Sequence, residues 1–230
     1  MTICSALTVL IVTASTYALE MPLKLDGLVT GTSSHVRLTN TGTQTITAWS
    51  LATLASTTTD GATKTHREVH TADGYLSEIT HGLPGSSDLL DRLQPGESRE
   101  LPLDSLPPGS TAEVVAVILE DGTGIGDEQI ISAIFARRVK ERDALRNVVQ
   151  AFNDILPSRQ GTAALDALRN LFSDLVQRDD SIPCRAALDA VQTYSRSTNA
   201  DQIDQSLKVY SAFVTREYEL ALKHSQRKLP

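Results

Sequence analysis

The sequence predicts an α+β fold in which an antiparallel β-sandwich precedes an α-helical bundle. Three observations predict it. Apolar residues alternate in short runs between turn signals as far as Leu119, and recur every three or four residues from Asp127 onward. No helical run separates the early strands. Charge shifts at the same place: Leu19 to Gly126 carries 6 Lys/Arg against 14 Asp/Glu, a net of -8, whereas Asp127 to Pro230 carries 15 against 14. A step of that kind marks a boundary between folding units. The expected organisation is an export signal over 1–18, the sandwich over 19–126 and the bundle over 127–230.

The opening "MTICSALTVLIVTASTYALE" has the apolar stretch Ala6 to Val12, too short to span a bilayer, followed by small residues at Thr16 and Ala18. It predicts an exported, periplasmic or secreted product cleaved before Leu19. Only the terminal amine is positive there, and a buried first strand is the competing reading. No later stretch reaches transmembrane length, so no membrane span is expected in the mature chain.

Strand signals follow. "HVRLTNTGTQTITAW" places Val36 and Leu38 on one face, turns at Asn40-Thr41-Gly42, and enters a strand rich in Thr and Ile through Trp49. "ATKTHREVH" alternates as an edge or solvent-facing strand does. "LQPGESRELPL" is a Pro-Gly turn into a strand containing Leu101 and Leu103. "TAEVVAVIL" is apolar on both faces after Glu113, as a central strand would be. Together "VRLTNTGTQTITAWSL", "LQPGESRELPL" and "STAEVVAVIL" resemble the immunoglobulin-like modules of bacterial surface and periplasmic proteins, over Leu23 to Leu119. The chain as a whole also resembles exported bacterial proteins of uncharacterised function. The paired cysteines of antibody-type domains are absent from the matching stretch. The resemblance implies an immunoglobulin-like β-sandwich and transfers no site residue.

The second half reads as four helices. The first carries Ile130, Ile131, Ile134, Phe135, Val139, Leu145, Val148, Val149, Phe152 and Ile155 inward, interrupted only by Arg142, and ends at Pro157 and Gly161. Thr162 begins the second, with Leu165, Leu168, Leu171, Phe172, Leu175 and Val176 inward. Ser181 is placed to cap the third, with Pro183 in its first turn and Ala187, Val191 and Tyr194 inward; Thr198 or Asn199 is placed to cap the fourth, which carries Ile203, Leu207, Tyr210, Phe213, Val214, Ala221 and Leu222 inward.

"EDGTGIGDE" tests the case for a nucleotide loop. Gly122, Gly124 and Gly126 are spaced G-x-G-x-G, no second parallel strand follows, and Glu120, Asp121, Asp127 and Glu128 would repel a pyrophosphate. The loop is read as a connector, with Asp127 and Glu128 complementing a helix N-terminus. Calcium is the weaker reading of those carboxylates, which match neither an EF-hand nor a repeat loop. His66 and His70 of "HREVH" are too far apart on a strand to share one ion, and His35, His81 and His224 lack ligand-like spacing. Cys184, alone in a chain starting at Leu19, reads as a small buried apolar residue. Trp49 reads as core. No G-x-S-x-G is present, and "GLPGSSD" has the composition of a surface turn. The basic run Arg137 to Arg142 reads as a solvated face or a contact with the acidic first half, of small energetic worth, and not as a nucleic-acid site in a chain of net charge -7.

No catalytic, cofactor-binding or metal residue is therefore assigned, and no cofactor. The expected role is a non-enzymatic exported binding or interaction module whose partner is another protein or an envelope component. The alternative is a hydrolase-type enzyme with its site where the two halves meet.

Overall fold

A computed structural model describes residues 20–59, 62–75, 92–179, 181–197 and 199–228. The expected export signal, His81, "GLPGSSD" and Thr198 lie outside the described residues. The described chain is α+β: two antiparallel sheets containing seven strands, then four helices. One sheet has the order β1 (Leu23–Val29), β2 (His35–Asn40), β5 (Ser98–Pro102). The other has the order β4 (Ala62–Asp73), β3 (Ile46–Thr59), β6 (Thr111–Leu119), β7 (Gly124–Gly126).

Alternation along the strands explains the packing. Trp49 and Leu51 of β3 and Val117 of β6 join Leu23, Val36, Leu38 and Leu93 in one buried cluster that draws on both sheets. The residues between them, Ala48 of β3 with Ala116 and Ile118 of β6, point the other way. They pack against Ile131, Ile134 and Phe135 of the first helix. The four-stranded sheet is thus covered on both faces, which accounts for the apolar character of both faces of "VVAVIL". Each buried Ile, Leu or Phe contributes about 1.5–3 kcal/mol, so these two clusters dominate the energetics of the sheets.

Helix α1 (Glu128–Ile155) is capped by Asp127, whose carboxylate accepts from the backbone N–H groups of Gln129 and Ile130. Helices α2 (Gly161–Arg178), α3 (Ile182–Tyr194) and α4 (Ala200–His224) share a core with the second half of α1, built on Val148, Phe152, Leu168, Phe172, Val191, Leu207 and Tyr210. Asn199 caps α4 as expected, accepting from Asp201 and Gln202. Leu171 and Leu222, expected on the inward stripes of α2 and α4, are exposed, and three further expectations need correction. Gly161 opens α2 rather than closing α1, because its φ of 54° admits the chain turn at that point. Ser181 makes no capping hydrogen bond with its side chain; the Glu141 carboxylate lies against the backbone N–H of Ile182 instead. And β3 runs ten residues past Trp49, to Thr59.

The glycine loop is a connector that contains a strand. β7 pairs with β6 through Val117↔Ile125. At Gly122 φ is 86°, and a Cβ would stand 2.6 Å from the carbonyl oxygen of Gln226. Gly126, at φ 114°, lies against the backbone of Val115 and Ala116. Only glycine fits these two positions without displacing backbone.

Candidate functional site

The polar groups that converge do so where the four-stranded sheet meets both ends of the helical region. Arg138, three residues along α1 from Phe135, is 4% exposed, and its partner Asp73, at the end of β4, is buried with it. Arg138 Nε donates to Asp73 Oδ2 at 2.8 Å and Nη2 to Asp73 Oδ1 at 3.0 Å. The same Nη2 reaches Thr47 Oγ1 of β3 at 3.2 Å, and Nη1 donates to the His224 carbonyl at 3.3 Å. One guanidinium therefore joins β3, β4, α1 and the end of α4. The expected contact with the acidic first half is made at Arg138, and its expected weakness is what needs correction: Arg138 is buried and doubly hydrogen-bonded to its carboxylate, a geometry that a planar fork favours.

Beside this pair the Tyr75 and His224 rings stack, with centroids 3.7 Å apart and planes 15° from parallel. The guanidinium groups of Arg92 and Arg138 lie 4.3 and 4.8 Å from the Tyr75 ring centroid, within cation–π range. Tyr75 Oη donates to Glu120 at 3.3 Å. Burial, with the nearby cations Lys223, Arg138 and Arg92, lowers the His224 pKa to about 3, so the ring is neutral at pH 7. Burial likewise raises the Tyr75 phenol above its ordinary range.

A cleft of about 360 Å³ opens here, lined by Glu120, Gly122, Arg138, Lys223, His224 and Lys228 among others. Its walls are paired internally. Lys223 faces Glu120 at 3.7 Å, Lys228 holds Asp121 at 2.7 Å, and Arg227 holds Glu128 at 2.6 Å. The Lys228 hydrogen bond holds the Asp121 carboxyl down at about 2, and Arg227 does the same for Glu128. The backbone N–H of Lys228 also donates to the Gly122 carbonyl at 3.0 Å. The residues considered as a nucleotide or calcium loop thus receive the segment that follows α4.

For acid–base or nucleophilic chemistry a base must reach a hydroxyl, thiol or water. Among the described residues the His224 ring makes no hydrogen bond to a hydroxyl, thiol or carboxylate. Among the described residues, no group of three or more His, Cys, Asp or Glu side chains could hold a metal ion. His66 and His70 lie four residues apart on β4, with His70 Nε2 3.7 Å from Glu68. Cys184 is buried, and that burial raises its thiol pKa, the opposite of what activates a nucleophile. Trp49 is in the core.

Sequence reasoning missed Arg138, Asp73, Tyr75 and His224 as a group. Their separations along the chain leave no local signature; only the charge imbalance between the halves hinted that a cation of α1 meets a carboxylate of the sheets. Among the described residues no helix is long and apolar enough to cross a membrane. Compared with protein-family models, curated proteins and solved structures, the chain matches none.

Proposed function

We propose that this protein is a non-enzymatic, exported binding or interaction module, built as an immunoglobulin-like sandwich followed by a helical bundle. The chain changes sheets at β2–β3, β4–β5 and β5–β6, a Greek-key style of connection that supports the sandwich reading. The single core shared by α1 to α4 supports the bundle. At the junction, the groups from which a catalytic site would be made are engaged with each other. The observation that carries the interaction reading is β4. It is the outermost strand of its sheet, twelve residues long and in unbroken register with β3. Among the described residues nothing pairs with its other side. Such an edge offers a row of backbone donors and acceptors to another strand.

Amide hydrogen exchange tests this reading. In the monomeric protein alternate β4 amides, those turned away from β3, should exchange fast while their neighbours are protected; uniform protection would remove the free edge. The alternative of a hydrolase at the junction rests on the neutral His224 beside the cleft. It requires turnover of ester, phosphoester or glycoside reporters that disappears in His224→Gln. The module reading expects no turnover in either protein. Export would be supported by a native chain whose mass begins at Leu19, and an intact Met1 terminus would remove it.

A further inference from the structure

We propose that the partner of the β4 edge is a second copy of this chain, paired antiparallel about a two-fold axis at His66. The inference rests on the interaction-module reading and assigns its partner. Three features of β4 point to it.

The first is the shape of the strand. β6 pairs with β3 only as far as Leu54↔Thr111, whereas β3 and β4 continue together to Thr59↔Ala62. Beyond Leu54 and Arg67 the two strands form a ribbon that β6 no longer accompanies. β4 has no proline, and its register with β3 has no bulge, so it lacks two of the usual devices that block edge pairing.

The second is where its charges look. Lys64, Arg67 and Glu68 are exposed, and the register sets them opposite Thr57, Leu54 and Thr53, none of which is charged. Among the described residues Lys64 and Arg67 have no ion pair, and Glu68 has only His70, at 3.7 Å. The charges of the strand are not answered within its own sheet.

The third is their order. Two identical strands paired antiparallel in one sheet are related by an axis perpendicular to it, so a residue meets itself on the axis and equidistant residues face each other. Lys64, His66 and Glu68 share one face of β4. An axis at His66 sets Lys64 opposite Glu68 twice and Arg67 opposite Thr65 twice. Opposite charges so placed are stabilising, and like charges are not. An axis at Arg67 or at Glu68 would bring like charges together. An axis at Thr65 leaves Glu68 opposite Ala62. One at Val69 carries the pairing into Asp73, whose carboxylate is already held by Arg138. The register at His66 alone sets Lys64 opposite Glu68, with its axis on the ribbon.

An interface of one strand pair is small, which places it among weak, reversible associations. Analytical ultracentrifugation of the full chain up to about 300 μM, the range such interfaces occupy, should show a concentration-dependent dimer. Lys64→Glu and Glu68→Lys should each weaken it about tenfold by setting like charges opposite each other. The double variant Lys64→Glu/Glu68→Lys should restore it, since the order of signs is again self-complementary. His66→Cys should give a disulfide-linked dimer under mild oxidation. Facing Cα atoms in an antiparallel pair are about 4.5–5.5 Å apart, within the span of a disulfide. A chain that stays monomeric without a His66→Cys cross-link overturns the proposal. So does a dimer indifferent to the charge swaps. Hydrogen exchange then separates the two levels: fast alternate β4 amides in that monomer leave the edge free for a different protein, whereas uniform protection ends the edge reading as well.

Discussion

Arg138 and Glu141 lie nearly one turn apart on the same buried face of α1, and the fold treats them in opposite ways. Toward the sheets, Arg138 meets a carboxylate in bidentate geometry, a threonine hydroxyl and a backbone carbonyl. Toward the helices, Glu141 lies against the backbone N–H of Ile182 at the start of α3, while its Oε2 is buried with no hydrogen-bond partner. Burial alone does not set the energetic value of a charge; completeness of its partners does. The first position is a joint between the sheets and the helices. The second is a buried carboxylate at the start of α3 with an unmet acceptor.

The sharpest way to break this comparison is Arg138→Ala. It leaves Asp73 buried without its cation, for which a loss of about 3–5 kcal/mol is expected. Replacing both partners, Arg138→Leu with Asp73→Leu, should cost clearly less, because no isolated charge remains. Chemical denaturation followed through Trp49 fluorescence and helical circular dichroism gives both values. A loss below about 1 kcal/mol for Arg138→Ala, the worth of an exposed pair, would show that the pair is no joint. Coincident transitions by the two probes would show that sheets and helices unfold together.

That joint also marks the limit of what the sequence discloses. The change of period near Asp127 is visible because a 3.6-residue stripe is a local property, and Ile131, Ile134 and Phe135 face the sheet as their spacing requires. The cap at Asp127 is local too. The spacing does not disclose every member of the stripe: Arg142, its visible interruption, is half-buried, and Arg138 and Glu141 also enter the core. A charged residue is admitted there by a partner 65 positions away in Asp73, or by the N-terminus of α3, and neither is recorded in the spacing of α1. The extension of β3 to Thr59 was hidden for another reason. β6 stops accompanying the strand at Leu54, and "ASTTT" carries no apolar alternation from which a strand could be read.

A smaller effect separates the two positions by pH. The His224 pKa falls from 6.5 in the unfolded chain to about 3 in the fold, burial being the main cause and the cations Lys223, Arg138 and Arg92 adding to it. A depressed pKa contributes stability that is fully present above 6.5 and is lost as pH falls toward 3, because the unfolded chain takes the proton first. The slope cannot exceed about 1.4 kcal/mol per pH unit. Asp121 and Glu128 also weaken the fold on acidification, but only below their ordinary carboxylate range. Between pH 6.5 and 5 the difference between the native chain and His224→Phe, which keeps a ring against Tyr75, therefore isolates the histidine. Stability should fall with acid in the native chain and stay nearly level in the variant. Parallel curves would mean that His224 takes its proton without disturbing the stack.

Glu141 should show the smallest effect, with the opposite sign. Burial raises its carboxyl pKa above the ordinary 4.5, against the lowering influence of Arg137, the Ile182 N–H and Lys140. A raised carboxyl pKa favours the neutral form in the fold. The contribution is present below 4.5 and is lost as pH rises through the folded value, since the unfolded chain gives up its proton first. Glu141→Gln fixes the neutral form and keeps an oxygen that can accept from Ile182. At pH 4 the variant should match the native chain, and at pH 8 it should be more stable by about 1 kcal/mol, the scale of one imperfectly satisfied buried group. The amide brings two N–H donors of its own, and Ser181 Oγ, also buried without a partner and next in sequence to Ile182, is an acceptor of the kind it needs. If Glu141→Gln instead destabilises the protein at pH 8, the ionised carboxylate is the form that caps α3, and attraction from Arg137 and Lys140 outweighs its burial. Measuring the same variant with Ser181→Ala separates the two causes. A gain that disappears with the hydroxyl belongs to a new hydrogen bond, and a gain that persists belongs to the removal of a buried charge.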